Sequence, residues 1–273
     1  MAERAQSSSG QGPGSPLSSS QASSLQSAAG RPRGLLLVVS SPSGAGKTTL
    51  ARRLLAEHPQ LRFSVSYTTR PRRGREQAGV DYHFVSDAEF ERMIEAGAFA
   101  EWCVVHGRRY GTALPTLRAA IAGGEQILLD IDYQGAEKLR QAFPDEARLV
   151  YILPPSLEVL AERLRSRATD DPAVIEARLR KAAEELRHYS LYDYLVFNRD
   201  LEQAYAELEA VYLLESAHVR GGEPHPAVAA LARDCQRESR AELAERVLKS
   251  AAASTSSDAV LLSSQTPKAN PWP

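Results

Sequence analysis

Short, continuously apolar segments alternate with longer segments of helical spacing through the middle of the chain. The apolar segments predict strands buried on both faces of a sheet, at residues 35–39, 126–132, 148–153 and 194–197. The helical segments are residues 47–56, 115–122, 135–143, 157–165, 172–189 and 201–216. This alternation favours an α/β fold in which helices flank a wound parallel sheet.

A basic stretch with a different pattern interrupts this alternation between about residues 63 and 112. Alternation around residues 63–67 and 82–85 predicts short strands, and a further small β region is expected over 101–110. A helix is predicted over 87–96, with Ser86 or Asp87 as its N-cap. We therefore expect a small insert with antiparallel strands that lies outside the main sheet.

The two ends of the chain differ in composition from this middle part. Residues 1–33 are rich in Ser, Gln, Gly and Pro, which predicts a disordered extension before a domain at 34–219. The C-terminal extension, residues 220–273, begins with a segment rich in Gly, Pro and Ala. Within it we predict a helix over 227–249 and a disordered tail from Ser250 onward.

The composition restricts the class of protein. The chain has 273 residues, 43% of them hydrophobic, and a net charge of −1, which argues against a general nucleic-acid binder. No apolar stretch is long enough for a bilayer, and the N-terminal segment lacks the apolar core of a signal peptide. Cys103 and Cys235 stand far apart and suggest neither a disulfide framework nor a zinc site. We expect a cytoplasmic protein without membrane or nucleic-acid partners.

A glycine- and serine-rich turn follows the first predicted strand and precedes the first predicted helix. Its residues are Ser41, Pro42, Ser43, Gly44, Ala45, Gly46, Lys47, Thr48 and Thr49. In that context the turn predicts a phosphate loop that binds the phosphates of a nucleotide through backbone N–H groups and the helix N-terminus. Lys47 would reach the outer phosphates, and the Thr48 hydroxyl would bind Mg²⁺. Ser41 departs from the general pattern, which has glycine there.

Two carboxylates, Asp130 and Asp132, end the apolar strand at 126–132. Ligands of wound sheets gather at the carboxyl ends of the strands, so these side chains are expected close to the phosphate loop. A carboxylate at that place can hold Mg²⁺ directly or through water. The sequence therefore predicts Thr48 and Asp130 as metal ligands.

A set of motifs in order and spacing resembles the guanylate kinase family. The longest is Thr68-Thr69-Arg70-x-x-Arg73-x-x-Glu76-x-x-Gly79-x-x-Tyr82-x-Phe84-Val85. The others are Glu101-Trp102, Tyr110-Gly111-Thr112, Asp130-Ile131-Asp132-x-Gln134-Gly135 and Leu153-Pro154-Pro155-Ser156. The resemblance covers roughly residues 35–216. It implies a P-loop NTPase fold with a small α/β GMP-binding insert, at about 63–112, and a helical lid over ATP, at about 156–187.

The resemblance also implies a reaction and a role for each matching residue. The reaction is phosphorylation of GMP, and of dGMP, by ATP with Mg²⁺. The residues implied to hold the GMP phosphate are Arg70, Arg73, Tyr82 and Tyr110, and those implied to bind guanine are Ser66, Glu101, Thr112 and Asp132. The implied lid arginines near the transferred phosphoryl group are Arg163, Arg167 and Arg178, which join Lys47 and Arg70 as catalytic residues. Asn198 resembles the asparagine near the adenine of ATP.

The chemistry of these residues agrees with the implied roles. Arginine presents a planar fork of donors, so Arg70 and Arg73 can hold one phosphate dianion together. The Glu101 carboxylate can accept hydrogen bonds from N1–H and N2–H₂ of guanine. Adenine has no N1–H, so AMP would leave a buried carboxylate unpaired at a cost of about 1–3 kcal/mol or more.

Some positions depart from the family pattern, and two other functions stay open. The family has Gly-Arg-Gly where this lid has Ser166-Arg167-Ala168, and its Asn-Asp pair is here Asn198-Arg199-Asp200. One alternative is a non-catalytic guanylate-kinase-like scaffold domain that binds phosphopeptides, and the other is a kinase for a different small phosphate acceptor. The oligomeric state is open between monomer and homodimer.

Overall fold

The computed structural model describes residues 34–105, 107–166 and 172–263. The predicted disordered segment at 1–33, the last ten residues and the lid residue Arg167 lie outside this range. The strands are β1 (Leu35–Ser40), β2 (Leu61–Phe63), β3 (Tyr67–Thr68), β4 (His83–Phe84), β5 (Phe99–Val105), β6 (Arg108–Ala113), β7 (Gln126–Asp130), β8 (Ala147–Leu153) and β9 (Tyr194–Phe197). The helices are α1 (Lys47–Glu57), α2 (Asp87–Glu95), α3 (Leu114–Ala122), α4 (Tyr133–Ala142), α5 (Leu157–Ser166), α6 (Pro172–Leu186), α7 (Leu201–Val219), α8 (Pro226–Asp234) and α9 (Arg237–Ser263), with a 3₁₀ helix at Arg187–Leu191.

The central sheet has five parallel strands in the order β2-β7-β1-β8-β9. β1 lies in the middle and all its residues are buried. Successive side chains of a strand point to opposite faces, so Leu36 packs in one core with α4, α5 and α6, whereas Leu37 packs in the other with α1 and α7. This confirms the predicted wound parallel sheet with helices on both faces.

The insert contains a second sheet, with strand order β4-β3-β6-β5. β5 and β6 pair in antiparallel register, as do β3 and β6, but β3 and β4 are parallel. Ser86 caps α2, because its side chain accepts the Glu89 N–H at 3.2 Å. Phe90 of α2 is buried and stacks on Phe99 of β5, with 4.5 Å between ring centroids, which fastens the helix to this sheet.

The central sheet has one strand more than the sequence predicts. Phe63, the predicted start of the insert, belongs to β2 and pairs with Leu128 of β7, so the insert begins after it. β2 is only three residues long and only Leu61 of them is buried, which leaves too little pattern to predict a strand. Among the described residues, no helix is long and apolar enough to cross a membrane.

The C-terminal extension also differs from the prediction. In place of one helix over 227–249 there are two, α8 and α9, and α9 continues to Ser263 through part of the predicted tail. The break falls at Cys235 and Gln236, where the chain pairs with the outer edge of β9. Leu195 N–H donates to Cys235 O at 2.8 Å, and Arg237 N–H donates to Asp193 O at 2.9 Å. A helix cannot continue through residues whose backbone groups bond to a strand edge.

Candidate active site

The phosphate loop lies between β1 and α1, as the sequence predicts. Gly44 and Gly46 have φ angles of 91° and 98°, in the left-handed region that other residues rarely adopt. The Ser41 hydroxyl, which stands in place of a glycine, donates to Pro42 O at 3.0 Å. Helix α1 begins at Lys47 directly after Gly46, so the partial positive charge of its N-terminus lies at the loop. This arrangement is suited to binding an anion.

Lys47 forms an ion pair with Asp130, the last residue of β7. β1 and β7 are neighbouring parallel strands, so their carboxyl ends lie at the same edge of the sheet. Both side chains remain partly exposed, at 19% and 27%. The predicted proximity of the strand-end carboxylate to the phosphate loop is therefore present in the structure.

A cleft of about 980 Å³ opens at the phosphate loop. It is bordered by loop residues including Lys47 and Thr48, by Arg73 of the insert and by Arg178 of α6. Three parts of the chain that the sequence assigns to phosphate binding thus face one space. Lys181 and Glu185 of α6 border the same cleft, although neither was predicted from the sequence. Their spacing from Arg178 places all three residues on one face of the helix, and this spacing could have identified Lys181 and Glu185 from the sequence.

A second pocket, of about 230 Å³, adjoins the first, since Lys47 and Val105 line both. It contains five of the eight residues that the resemblance assigns to GMP. Its complete lining is Lys47, Ser66, Tyr82, Glu101, Cys103, Val105, Tyr110, Asp130, Ile131 and Asp132. The phosphate-loop lysine therefore stands between the cleft at the phosphate loop and a pocket with three carboxylates.

Glu101 is the most buried acid of this second pocket, with 4% of its surface exposed. The Thr112 hydroxyl donates to its Oε1 at 2.6 Å. Its Oε2 lies against Gly135, where an added Cβ would come within 2.8 Å of it. Burial raises the pKa of Glu101 to about 7, against the bond from Thr112, which lowers it. Thr112 thus holds Glu101 in place, and this carboxylate changes charge near neutral pH.

Asp132 stands at the N-terminus of α4 and caps it. Its Oδ1 accepts the Gly135 N–H at 3.0 Å, and the Cys103 thiol lies 3.7 Å from its Oδ2 in position to donate. Burial raises the pKa of Cys103 to about 12, so this thiol stays protonated. Cys103 lines the pocket beside Asp132, a position in the site that was not predicted from the sequence.

Arg70 is only 7% exposed and is held by Glu76. Its Nη1 and Nη2 donate to the two Glu76 carboxylate oxygens at 3.0 and 2.7 Å. The guanidinium carbon also lies 5.2 Å from the centre of the Tyr82 ring, and Tyr82 contacts Tyr110 edge to face. Arg73 differs, because its side chain is exposed and borders the large cleft. The four residues predicted to hold the GMP phosphate are thus in one region, with Arg70 already paired.

The described lid arginines have different environments. Arg178 borders the large cleft, whereas Arg163 donates from Nη2 to Asn198 O at 2.9 Å. Asn198 itself is buried, and its Nδ2 donates to Ala45 O in the phosphate loop at 2.7 Å. Asp200, the acid displaced by Arg199, accepts the Gln203 N–H at 3.0 Å and caps α7. Asn198 therefore contacts the phosphate loop directly.

A phosphate loop between the central strand of a wound parallel sheet and its following helix makes this chain a P-loop nucleotide-binding protein. The sequence profile of the family described as guanylate kinase matches residues 33–215. Two relatives named guanylate kinase, from Syntrophotalea carbinolica and Chelativorans sp., are 51% and 49% identical. The first alignment covers 67% of this chain and 86% of the relative, and the second 71% and 88%. The chain belongs to the guanylate kinase family.

A solved structure agrees with this assignment. The crystal structure of guanylate kinase from Anaplasma phagocytophilum is 32% identical, with a TM-score of 0.57. The match covers 75% of this chain and 96% of that chain. The helices α8 and α9 lie beyond the residues that the family profile matches.

Proposed function

We propose that this protein transfers the γ-phosphoryl group of ATP to GMP, and also to dGMP, and so contributes to purine nucleotide metabolism. The observation that carries the proposal is the position of Lys47, which lines both the cleft at the phosphate loop and the pocket that contains Glu101. A donor and an acceptor nucleotide in these two spaces would have their phosphates on either side of this lysine. Membership of the guanylate kinase family supports the choice of GMP.

On the donor side, the loop backbone and the α1 N-terminus would bind the triphosphate of ATP. Mg²⁺ retains several waters and phosphate oxygens in its octahedral shell, so it needs only one or two protein ligands. Thr48 and Asp130 fit this need, since one borders the cleft and the other pairs with the loop lysine. Across the described part of the chain, no three or more His, Cys, Asp and Glu side chains form a metal cluster. When bound, the metal would neutralise charge on the outer phosphates of ATP.

On the acceptor side, Glu101 and Asp132 would accept hydrogen bonds from N1–H and N2–H₂ of guanine, with Ser66 bordering the same pocket. Arg73 would contact the GMP phosphate, helped by the hydroxyls of Tyr82 and Tyr110. Arg70 would join them from its position on Glu76. None of these groups needs a ribose 2′-hydroxyl, which is why we include dGMP.

The proposed reaction depends on positioning and charge more than on covalent chemistry by the protein. A GMP phosphate oxygen, largely deprotonated at neutral pH, attacks the γ-phosphorus in line while the bond to the β-phosphate oxygen of ADP breaks. No general base is required, because the attacking oxygen carries charge already. Lys47 and Arg178 would stabilise charge on the transferred group, as would Arg163 after it leaves Asn198.

We also propose how the domain is divided. The insert that follows Phe63 and ends near 112 would close over GMP, and the lid at about 156–187 would close over ATP, which would exclude water from the transfer. A cytoplasmic location is consistent with the cysteines Cys103 and Cys235, which are both free and buried.

The test is a coupled assay of ADP formation with ATP, Mg²⁺ and one of GMP, dGMP, AMP or UMP. We expect turnover with GMP and dGMP and at least about tenfold lower kcat/KM with AMP, because AMP offers no N1–H donor to the Glu101 carboxylate. A preference for AMP would refute the proposed role of Glu101. Absence of any GMP-dependent ADP, together with phosphopeptide binding, would favour the scaffold alternative.

A further inference from the structure

The side chain of Asn198 fills the space behind the phosphate loop. Asn198 follows β9, is 5% exposed, and donates from Nδ2 to Ala45 O at 2.7 Å. Its backbone N–H donates to Leu153 O at 2.8 Å, and its carbonyl accepts from Arg163 at 2.9 Å. The residue is thus fixed to the central sheet at one side, to lid helix α5 at another, and presents its carboxamide to the loop.

The contact extends to the next residue of the loop. A Cβ built on Gly46 would fall far inside contact distance of Asn198 Nδ2, so the carboxamide packs directly on the Gly46 backbone. Gly46 also has a φ of 98°, which a residue with a side chain rarely adopts. Glycine is therefore required here for two separate reasons, one of conformation and one of space taken by Asn198.

A hydrogen bond to one carbonyl sets the direction of an N–H group in the same loop. In a trans peptide the C=O bond and the following N–H bond lie in one rigid plane and point in opposite directions. Because Asn198 holds the Ala45 carbonyl, the N–H of Gly46 is directed away from Asn198. Gly46 itself borders the cleft at the phosphate loop. The carboxamide thus fixes the peptide plane that carries one of the loop's anion-binding donors.

We propose that Asn198 is a positioning residue that holds the Ala45–Gly46 peptide in the orientation needed to bind phosphate. The proposal rests on the proposed kinase function, since it concerns the triphosphate site of that reaction. A positioning role for Asn198 differs from a contact with adenine in one respect that can be measured. A residue that acts through the loop backbone affects every ligand that carries a polyphosphate, whereas a residue that contacts adenine affects only ligands with that base.

The experiment compares Asn198→Ala and Asn198→Asp with the unchanged protein and with Arg199→Ala, an exposed neighbour, as control. Binding of inorganic tripolyphosphate with Mg²⁺ is measured by calorimetry, and KM and kcat are measured for ATP, ITP and GMP. We expect N198A to weaken tripolyphosphate binding about three- to tenfold, the effect of one neutral hydrogen bond. The same factor should apply to ATP and ITP, with the GMP KM unchanged. N198D should lose more, because it places a carboxylate oxygen against the Ala45 carbonyl.

Two results would overturn the proposal. One is tripolyphosphate binding by both variants at the unchanged affinity, and the other is a loss confined to ATP, which would assign Asn198 to adenine. Asp has nearly the same shape as Asn, so binding of tripolyphosphate by N198D tests the proposal if N198A does not fold. The proposed function is tested separately by GMP-dependent ADP formation in the unchanged protein, and its failure would leave the tripolyphosphate comparison intact.

Discussion

The Glu101→Gln substitution tests how guanine recognition depends on charge. Glu101 is buried, and burial raises its pKa from 4.5 to about 7, opposed by the Thr112 hydrogen bond. The nearby charge of Asp132 raises the pKa further, and that of Lys138 lowers it. Guanine presents donors on its N1 and N2 edge, so GMP should bind the ionised form of Glu101. Gln keeps the shape of the side chain but cannot become an anion.

The size of the effect follows from these values. A rise in pKa from 4.5 to about 7 corresponds to about 3 kcal/mol that favours the protonated carboxyl in the folded protein. The pKa of Glu101 is higher in the folded protein than in the unfolded chain. The protonated carboxyl therefore contributes its full stabilisation below the unfolded pKa, and this contribution is lost as pH rises through about 7. At pH 8 the Gln variant should therefore gain up to about 3 kcal/mol in free energy of unfolding, measured without nucleotide.

GMP binding should show the opposite dependence. The ionised fraction of a group with a pKa of about 7 falls roughly tenfold from pH 8 to pH 6, so the KM for GMP should rise about tenfold over that range. The Gln variant should lose this slope. Its KM at pH 8 should be about 10- to 150-fold higher, since hydrogen bonds to a charged group contribute about 1.5–3 kcal/mol.

The assay is KM for GMP at saturating ATP, measured from pH 6 to pH 8 in both proteins. The GMP phosphate also titrates, with a pKa of about 6, but it does so equally with either protein, so the difference between the two profiles isolates Glu101. Calorimetry of GMP binding in two buffers should detect more proton release near pH 7 in the unchanged protein than in the Gln variant, and the difference reports the ionisation of Glu101. Parallel pH profiles, or an unchanged KM in the variant, would refute the reasoning.

Three further substitutions test other parts of the site and fold. Lys47→Ala should lower kcat by at least about a hundredfold, because it removes a cation from the transferring phosphate, while the melting temperature changes little. Gly135→Ala should raise the KM for GMP and not for ATP, since its methyl would meet Oε2 of Glu101 at 2.8 Å. Arg240→Ala should lower the free energy of unfolding in urea by about 3–5 kcal/mol, because it leaves the buried Glu207 carboxylate without its cationic partner.

Each of these three predictions has a control and a result that would contradict it. Arg52→Ala removes an exposed arginine of α1 and should change neither unfolding nor kinetics. Near-normal turnover of K47A would exclude this lysine from the chemistry, and equal KM changes for both nucleotides in G135A would point to a general packing defect. Unfolding of R240A at the same urea concentration as R52A would show that the C-terminal extension adds little stability.

The central fold could be predicted because its determinants are local. The strand at residues 35–39 is buried on both faces and appears as a continuous apolar run, and the phosphate loop follows it directly in the sequence. The edge strand β2 could not be predicted, since two of its three residues are exposed. The break at Cys235 could not be predicted either, because its cause is a pairing with β9, far away in the sequence.

Contacts between the site residues could not be predicted from the sequence either. Motif spacing identified Glu101 and Thr112 as candidates, but it could not show that the Thr112 hydroxyl donates to Glu101, so that the two act as a pair. Asn198 was predicted from resemblance as a residue near adenine, but the resemblance did not show that its amide donates to Ala45, across 153 positions of sequence. Sequence spacing carries no information on such contacts, because they are set by which strand ends meet at one edge of the sheet.

Two of the cations proposed to bind phosphate are already paired with carboxylates, Lys47 with Asp130 and Arg70 with Glu76. A phosphate that binds either cation must replace a carboxylate, so its net gain is the difference between two charge-assisted interactions. At the loop, this exchange would leave the Asp130 carboxylate beside the triphosphate, where repulsion opposes binding. A divalent cation at the proposed site of Asp130 and Thr48 would reverse that repulsion, since it would attract both the carboxylate and the phosphates. We therefore expect ATP to bind together with Mg²⁺, and the ion pair between Lys47 and Asp130 to strengthen this requirement.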